Sequence, residues 1–285
     1  MRQTASNKLP YLLKLLDDDS EIVRKAVAQE FFSFGENLDQ ELDNLMPVPG
    51  EDVRGQIRQL LAVYRKDQWK KLWPAWQNLA NDKQKLEGAL TMLCEFIGDG
   101  DGNPKLSVLL DRLAEEYRMV HGDKNPQKLA QFLFDAKQLR GAQEDYYNPR
   151  HCNLVYVILE KRGIPISLAC IYILVGARLG IEIEGCNFPG HFLARTFVNG
   201  EVILVDCFNG GRLIRENAFE KTQNAQLVQD IIHHPISAEM IIARVLNNLI
   251  RAYQKLGQAE NHELMTALLK LLQPDVSPAD TDSPP

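Results

Sequence analysis

The chain has 285 residues, of which 45% are hydrophobic and 25% charged, and carries a formal net charge of −6. That length and balance suit a soluble globular protein with a sizeable core, and the acidic charge without a Lys/Arg stripe argues against nucleic acid as a main partner. The opening MRQTASNKLPYLL lacks the apolar run of a secretory signal, so the five cysteines (Cys94, Cys152, Cys170, Cys186 and Cys207) are read as reduced thiols of a cytoplasmic protein.

Residues 7–34 read as a helical hairpin. Leu9, Leu12, Leu13 and Leu16 form one apolar stripe, Asp17-Asp18-Asp19-Ser20 interrupts it and caps the next helix, and Ile22, Val23, Ala26, Val27 and Phe31 form a second stripe. After the break at Pro47-Val48-Pro49-Gly50, helices are expected at about 51–66, 83–97, 104–121 and 125–138. Trp69, Trp73 and Trp76 recur at helical spacing, which indicates a core stripe. No flexible spacer separates Pro47 from Tyr147, so the N-terminal helices are expected to pack on the centre of the chain. The alternating Asp99, Asp101 and Asn103 suggest a calcium loop, but Pro104 stands where the turn needs glycine and Leu110 where it needs a glutamate. The adjacent His233 and His234 lack ligand geometry, so neither a metal nor a cofactor is expected.

Residues 162–212 organise the rest. Pro165 sits at a helix start, where its missing N–H costs nothing, and residues 163–177 contain no charge, so this helix is expected to be buried on every face. Ile181, Ile183 and Gly185 then alternate with Glu182 and Glu184 as in a strand. Residues 192–198 and 201–206 read as two further strands joined by Asn199-Gly200, the dipeptide suited to a type I′ turn. Leu213-Ile214 adds a short strand, with helix to about residue 223. Ser237 caps a helix with apolar positions Ile241, Val245, Leu246, Leu249 and Tyr253, Gly257 ends it, and residues 263–272 form its antiparallel partner. The acidic, Pro-rich tail 274–285 is expected to be disordered.

A buried helix, a Gly-His before one strand and an Asp ending the next resemble the papain-like transglutaminase-like superfamily. The stretches Glu160-Lys-Arg-Gly-Ile-Pro-Ile-Ser-Leu-Ala, Phe188-Pro-Gly-His-Phe-Leu-Ala-Arg and Asp206-Cys-Phe-Asn-Gly-Gly-Arg-Leu, with Glu144-Asp-Tyr-Tyr-Asn-Pro-Arg upstream, resemble its SirB-type branch, which also occurs within an F-box protein. Residues 15–28 resemble one HEAT repeat, and the C-terminal helix pair resembles one tetratricopeptide repeat. The implied fold is α+β, mostly α: a helix packed on a small antiparallel sheet, flanked by helical repeats. The implied domains are a helical region at 1–140 with the HEAT-like hairpin at 7–34, a transglutaminase-like core at 141–235, a tetratricopeptide-like pair at 236–273 and the tail.

The resemblance makes His191 and Asp206 the second and third members of a triad and puts Pro165 where the nucleophilic cysteine belongs. At about 100° per residue, Ser167 and Cys170 are turned by roughly 200° and 140° away from Pro165 and face the core. His191 and Asp206 are therefore expected to remain as an inactive dyad, with Arg195 and Asn209 as candidates lining a binding cleft. Two functions are open: a non-catalytic module binding a protein or peptide, or a papain-like cysteine or serine hydrolase or transferase acting on peptide amides.

Overall fold

The structure is a computed structural model that describes residues 8–98, 104–188, 190–219, 225–234 and 236–272. The acidic alternation at 99–103 and the tail at 274–285 lie outside them. The chain divides into two compact units, residues 1–72 and 73–285.

The first unit is helical: α1 (Leu9–Lys14), α2 (Glu21–Ser33), α3 (Leu38–Asp43) and α4 (Glu51–Leu72). Its core holds Leu9, Leu12, Val27, Phe31, Leu42 and Ile57. The α2 stripe is narrower than the periodicity suggests, because Ile22 is 81% exposed and Ala28 is buried instead. Ser20 stands at the N-cap of α2, but the local turn is closed by Asp18, whose Oδ1 accepts from the Ser20 amide at 2.8 Å.

The second unit is built around α9 (Pro165–Leu179), of which residues 165–176 and Leu179 are buried. Its covers are α5 (Asp82–Ile97), α6 (Leu106–Val120), α7 (Pro126–Gln131) and α8 (Leu154–Glu160), together with a four-stranded antiparallel sheet. A helix apolar all round needs helices as well as a sheet against it, and α5 to α7 supply them within the same unit. Trp73 and Trp76 open this unit as a buried edge-on pair, ring centroids 5.8 Å apart.

Two polar side chains anchor α9. The Tyr172 hydroxyl donates to the Pro126 carbonyl at 2.8 Å. Arg178 reaches from the last turn to Glu87 Oε1 at 2.7 Å and Asp111 Oδ1 at 2.5 Å. At Gly176 an added Cβ would stand 2.5 Å from Ile183 Cδ1, so the helix and the first strand of the sheet meet at glycine.

The sheet runs β3 (Ile183–Cys186), β4 (Leu193–Val198), β5 (Glu201–Asp206) and β6 (Arg212–Arg215) in that order, all antiparallel. A separate two-residue parallel bridge pairs β1 (Arg140–Gly141) with β2 (Arg162–Gly163). One sheet face carries Cys186, Leu193, Val202 and Leu204 against Ile232 of α10 (Ala225–His233), while α9 packs on β3 and β4. Where helix to about residue 223 is expected, Glu216–Phe219 form a 3₁₀ turn, residues 220–224 lie outside the described residues, and helix is found at 225–233. α11 (Ala238–Lys255) and α12 (Ala259–Leu272) form the expected antiparallel pair, with Ser237 Oγ accepting from the Met240 amide at 3.3 Å and Gly257 at φ +67°.

The β4–β5 hairpin turns at Asn199 (φ +53°) and Gly200 (φ +82°), the left-handed pair a type I′ turn requires. No atom lies within 4 Å of a Cβ added at Gly200, so Gly200→Val tests backbone strain alone. It should lower stability by about 1–2 kcal/mol in a denaturant titration, and an unchanged midpoint would contradict the turn.

Candidate functional site

The sheet brings three of the residues singled out in the sequence together. Asp206 ends β5, and His191 lies two residues before β4, whose register puts Ala194 opposite Val205. His191 Nε2 is 2.8 Å from Asp206 Oδ1. Asn209 folds back onto the same carboxylate, its amide donating to Oδ1 at 3.1 Å and its Nδ2 to Oδ2 at 2.8 Å. Arg212, paired with Asp206 across β5 and β6, adds a cation 3.7 Å from Oδ2.

Asp206 is 2% exposed. Burial pulls its pKa upward, but the hydrogen bonds from His191 and Asn209 outweigh that and hold it below the usual carboxylate range. Asp206 is thus ionised at neutral pH and can only accept, so His191 Nε2 is the donor of the pair. This is the arrangement of a base oriented by a carboxylate.

Pro165 is buried at the first turn of α9. The Ser167 hydroxyl is 1% exposed and donates to the Ile164 carbonyl at 2.9 Å. All five cysteines are buried. Burial pushes the Cys94 and Cys186 thiols up to about 11 and Cys207 well above its ordinary value. Cys207 lies beside Cys170, as strand alternation after Asp206 requires.

Arg195 is not a cleft residue. It is 4% exposed, pairs through Nη2 with Glu184 at 2.6 Å, and donates from Nη1 to the Ile232 carbonyl at 2.5 Å. Its register position opposite Glu184 on β3 aims it under α10, so it ties strand to helix.

Asn209 does line a cleft, of about 1000 Å³. The cleft lies beyond Phe208, whose ring meets His191 edge-on at 6.1 Å and Tyr146 at 6.4 Å. Neither His191, Asp206 nor Pro165 is among its lining residues. Its walls include Arg140 and Arg162 from the parallel bridge, Glu144 and Asp145 from the following loop, and His151. His151 is 5% exposed; burial lowers its pKa, against the nearby Asp145 charge and the backbone of Tyr146 and Asp145.

Sequence reasoning missed these groups, treating 139–150 as a polar connection. A signal was present: Arg-Gly occurs at 140–141 and again at 162–163, and the two dipeptides pair residue for residue. Gly141 is needed because an added Cβ would stand 2.6 Å from the Phe208 ring.

A buried helix on an antiparallel sheet, with a His and an Asp meeting across adjacent strands, is the frame the motifs imply, and this chain belongs to the transglutaminase-like superfamily, whose family model matches residues 103–247. A UPF0162 protein of Xylella fastidiosa strain Temecula1 is 35% identical over 205 residues, covering 64% of this chain and 70% of the relative. Human F-box only protein 21 is 26% identical over 147 residues, 49% of this chain but 23% of its own length. A UPF0162 protein of Vibrio cholerae is 29% identical over 99 residues, 33% of this chain and 37% of the relative. No solved structure matches the chain. Among the described residues no helix is long and apolar enough to cross a membrane, and no group of three or more His, Cys, Asp or Glu side chains could hold a metal ion.

Proposed function

We propose that this protein uses a transglutaminase-like frame as a non-catalytic module that binds a protein or peptide. The observation that carries the reading is Pro165 at the helix start, where covalent catalysis needs a nucleophile, in a chain that keeps an intact His191–Asp206–Asn209 cluster. A proline offers no acidic proton for His191 to take. The burial of every cysteine supports the same reading, because a thiolate is stabilised by exposure and nearby positive charge. The cluster then serves as a girder: it ties the strand ends to the turn after β5 and fixes Phe208 and Asn209 at the cleft.

The test is amine incorporation and peptide hydrolysis over a broad substrate panel, with His191→Ala as control. The expected result is no turnover in either protein. Turnover that disappears in His191→Ala would establish the alternative, a hydrolase or transferase acting on peptide amides.

A further inference from the structure

Arg140 and Arg162 stand directly opposite each other in the parallel bridge, so their side chains share one face. Like charges so placed repel and ordinarily acquire a carboxylate partner. Here neither guanidinium has an ion pair or side-chain hydrogen bond among the described residues, although the chain carries an excess of acidic groups. Both line the cleft, and so does His151. His151 Nδ1 is buried and has no hydrogen-bond partner. In the tautomer protonated at Nε2, Nδ1 is an acceptor that no donor among the described residues satisfies. An orphaned acceptor of this kind is costly unless something supplies a donor.

The remaining walls restrict what that something is. Asp135, Glu144 and Asp145 put three carboxylates against the two arginines, which disfavours a polyphosphate or nucleic acid. Phe208 and Tyr156 supply aromatic surface. A volume of about 1000 Å³ is at the upper end for small-molecule sites and has room for several residues of extended chain. The ligand must offer an oxyanion, a neighbouring N–H and positive charge further along.

We infer that the cleft captures the C-terminal carboxylate of an extended peptide, with Arg140 and Arg162 gripping the carboxylate, His151 Nδ1 accepting a peptide N–H, and Glu144, Asp145 and Asp135 selecting a basic residue upstream. This assignment rests on the binding-module reading and names its ligand. Planar guanidinium forks match a carboxylate two bonds at a time, which an ammonium does not.

The experiment passes a randomised hexapeptide library over the immobilised full-length protein, once with free C-termini and once amidated, and reads the retained sequences by mass spectrometry. Free-acid peptides should be retained at least ten-fold over amides and enriched in Lys or Arg upstream. Retention should fall at least ten-fold in Arg140→Gln/Arg162→Gln but not in Arg58→Gln/Arg65→Gln, which removes two exposed charges in the N-terminal unit. Arg140→Lys/Arg162→Lys, which keeps the charge and guards against a folding defect, should fall between the two. Equal retention of amidated peptides, or no response to Arg140→Gln/Arg162→Gln, overturns the carboxylate assignment and leaves peptide binding standing. Cleavage of the library that depends on His191 overturns the non-catalytic reading instead, and retention of neither library overturns both.

Discussion

Asp206→Ala should lower the unfolding free energy by about 2–4 kcal/mol, because it leaves three donors from His191 and Asn209 without their buried acceptor. The penalty depends on pH, with a definite sign. Hydrogen bonding holds the folded-state pKa of Asp206 below its ordinary value. Its contribution to stability is therefore complete above the unfolded value, about 3.9, and is lost as pH falls through the folded value. Wild type and mutant should differ fully at pH 6 in a denaturant titration and converge below about pH 4. A gap that stayed constant down to pH 3 would mean the carboxylate is not held by these donors. Asp206→Asn should recover part of the loss, since its one amide oxygen can still accept.

Phe208→Ala should cost about 3–5 kcal/mol, the usual range for removing a buried aromatic ring. The ring is 4% exposed, lies against Gly141 and meets both His191 and Tyr146. Its loss removes the wall between the cluster and the cleft, so peptide retention should fall along with stability. Phe208→Leu separates the two effects: most of the stability should return while the edge-on contact with His191 does not. Near-native stability of Phe208→Ala in thermal unfolding would contradict this placement of the ring.

What could be read from residues alone follows from how local each signal is. The charge-free run at 163–177 and the Asn199-Gly200 turn state their structure within a few positions, and α9 and the β4–β5 hairpin are found where those signals put them. The meeting of His191 with Asp206 follows from the turn, because a two-residue loop fixes register over the whole hairpin. Arg195 was misplaced because alternation gives the face of a strand but not what covers it, and α10 begins 30 residues further along. The cleft was invisible for a similar reason. It is assembled from segments around 135, 140–151, 162 and 208–210, brought together by the parallel bridge and by the Gly141 amide donating to the Phe208 carbonyl, and two-residue strands leave no periodicity to detect.

The uniform apolar surface of α9 leaves a question of azimuth. A cylinder oily on all sides gains equally from burial at any rotation about its axis, so the hydrophobic effect that holds the helix in place cannot by itself decide which way its first turn points. The bearing is set by a few directional features: the Arg178 fork on Glu87 and Asp111, the Tyr172 hydroxyl on the Pro126 carbonyl, and the Gly176 notch against Ile183. These lie at the middle and far end of the helix, roughly two to three and a half turns from Pro165. The orientation of the position where a nucleophile would stand is thus governed from a distance, like a key turned by its bow.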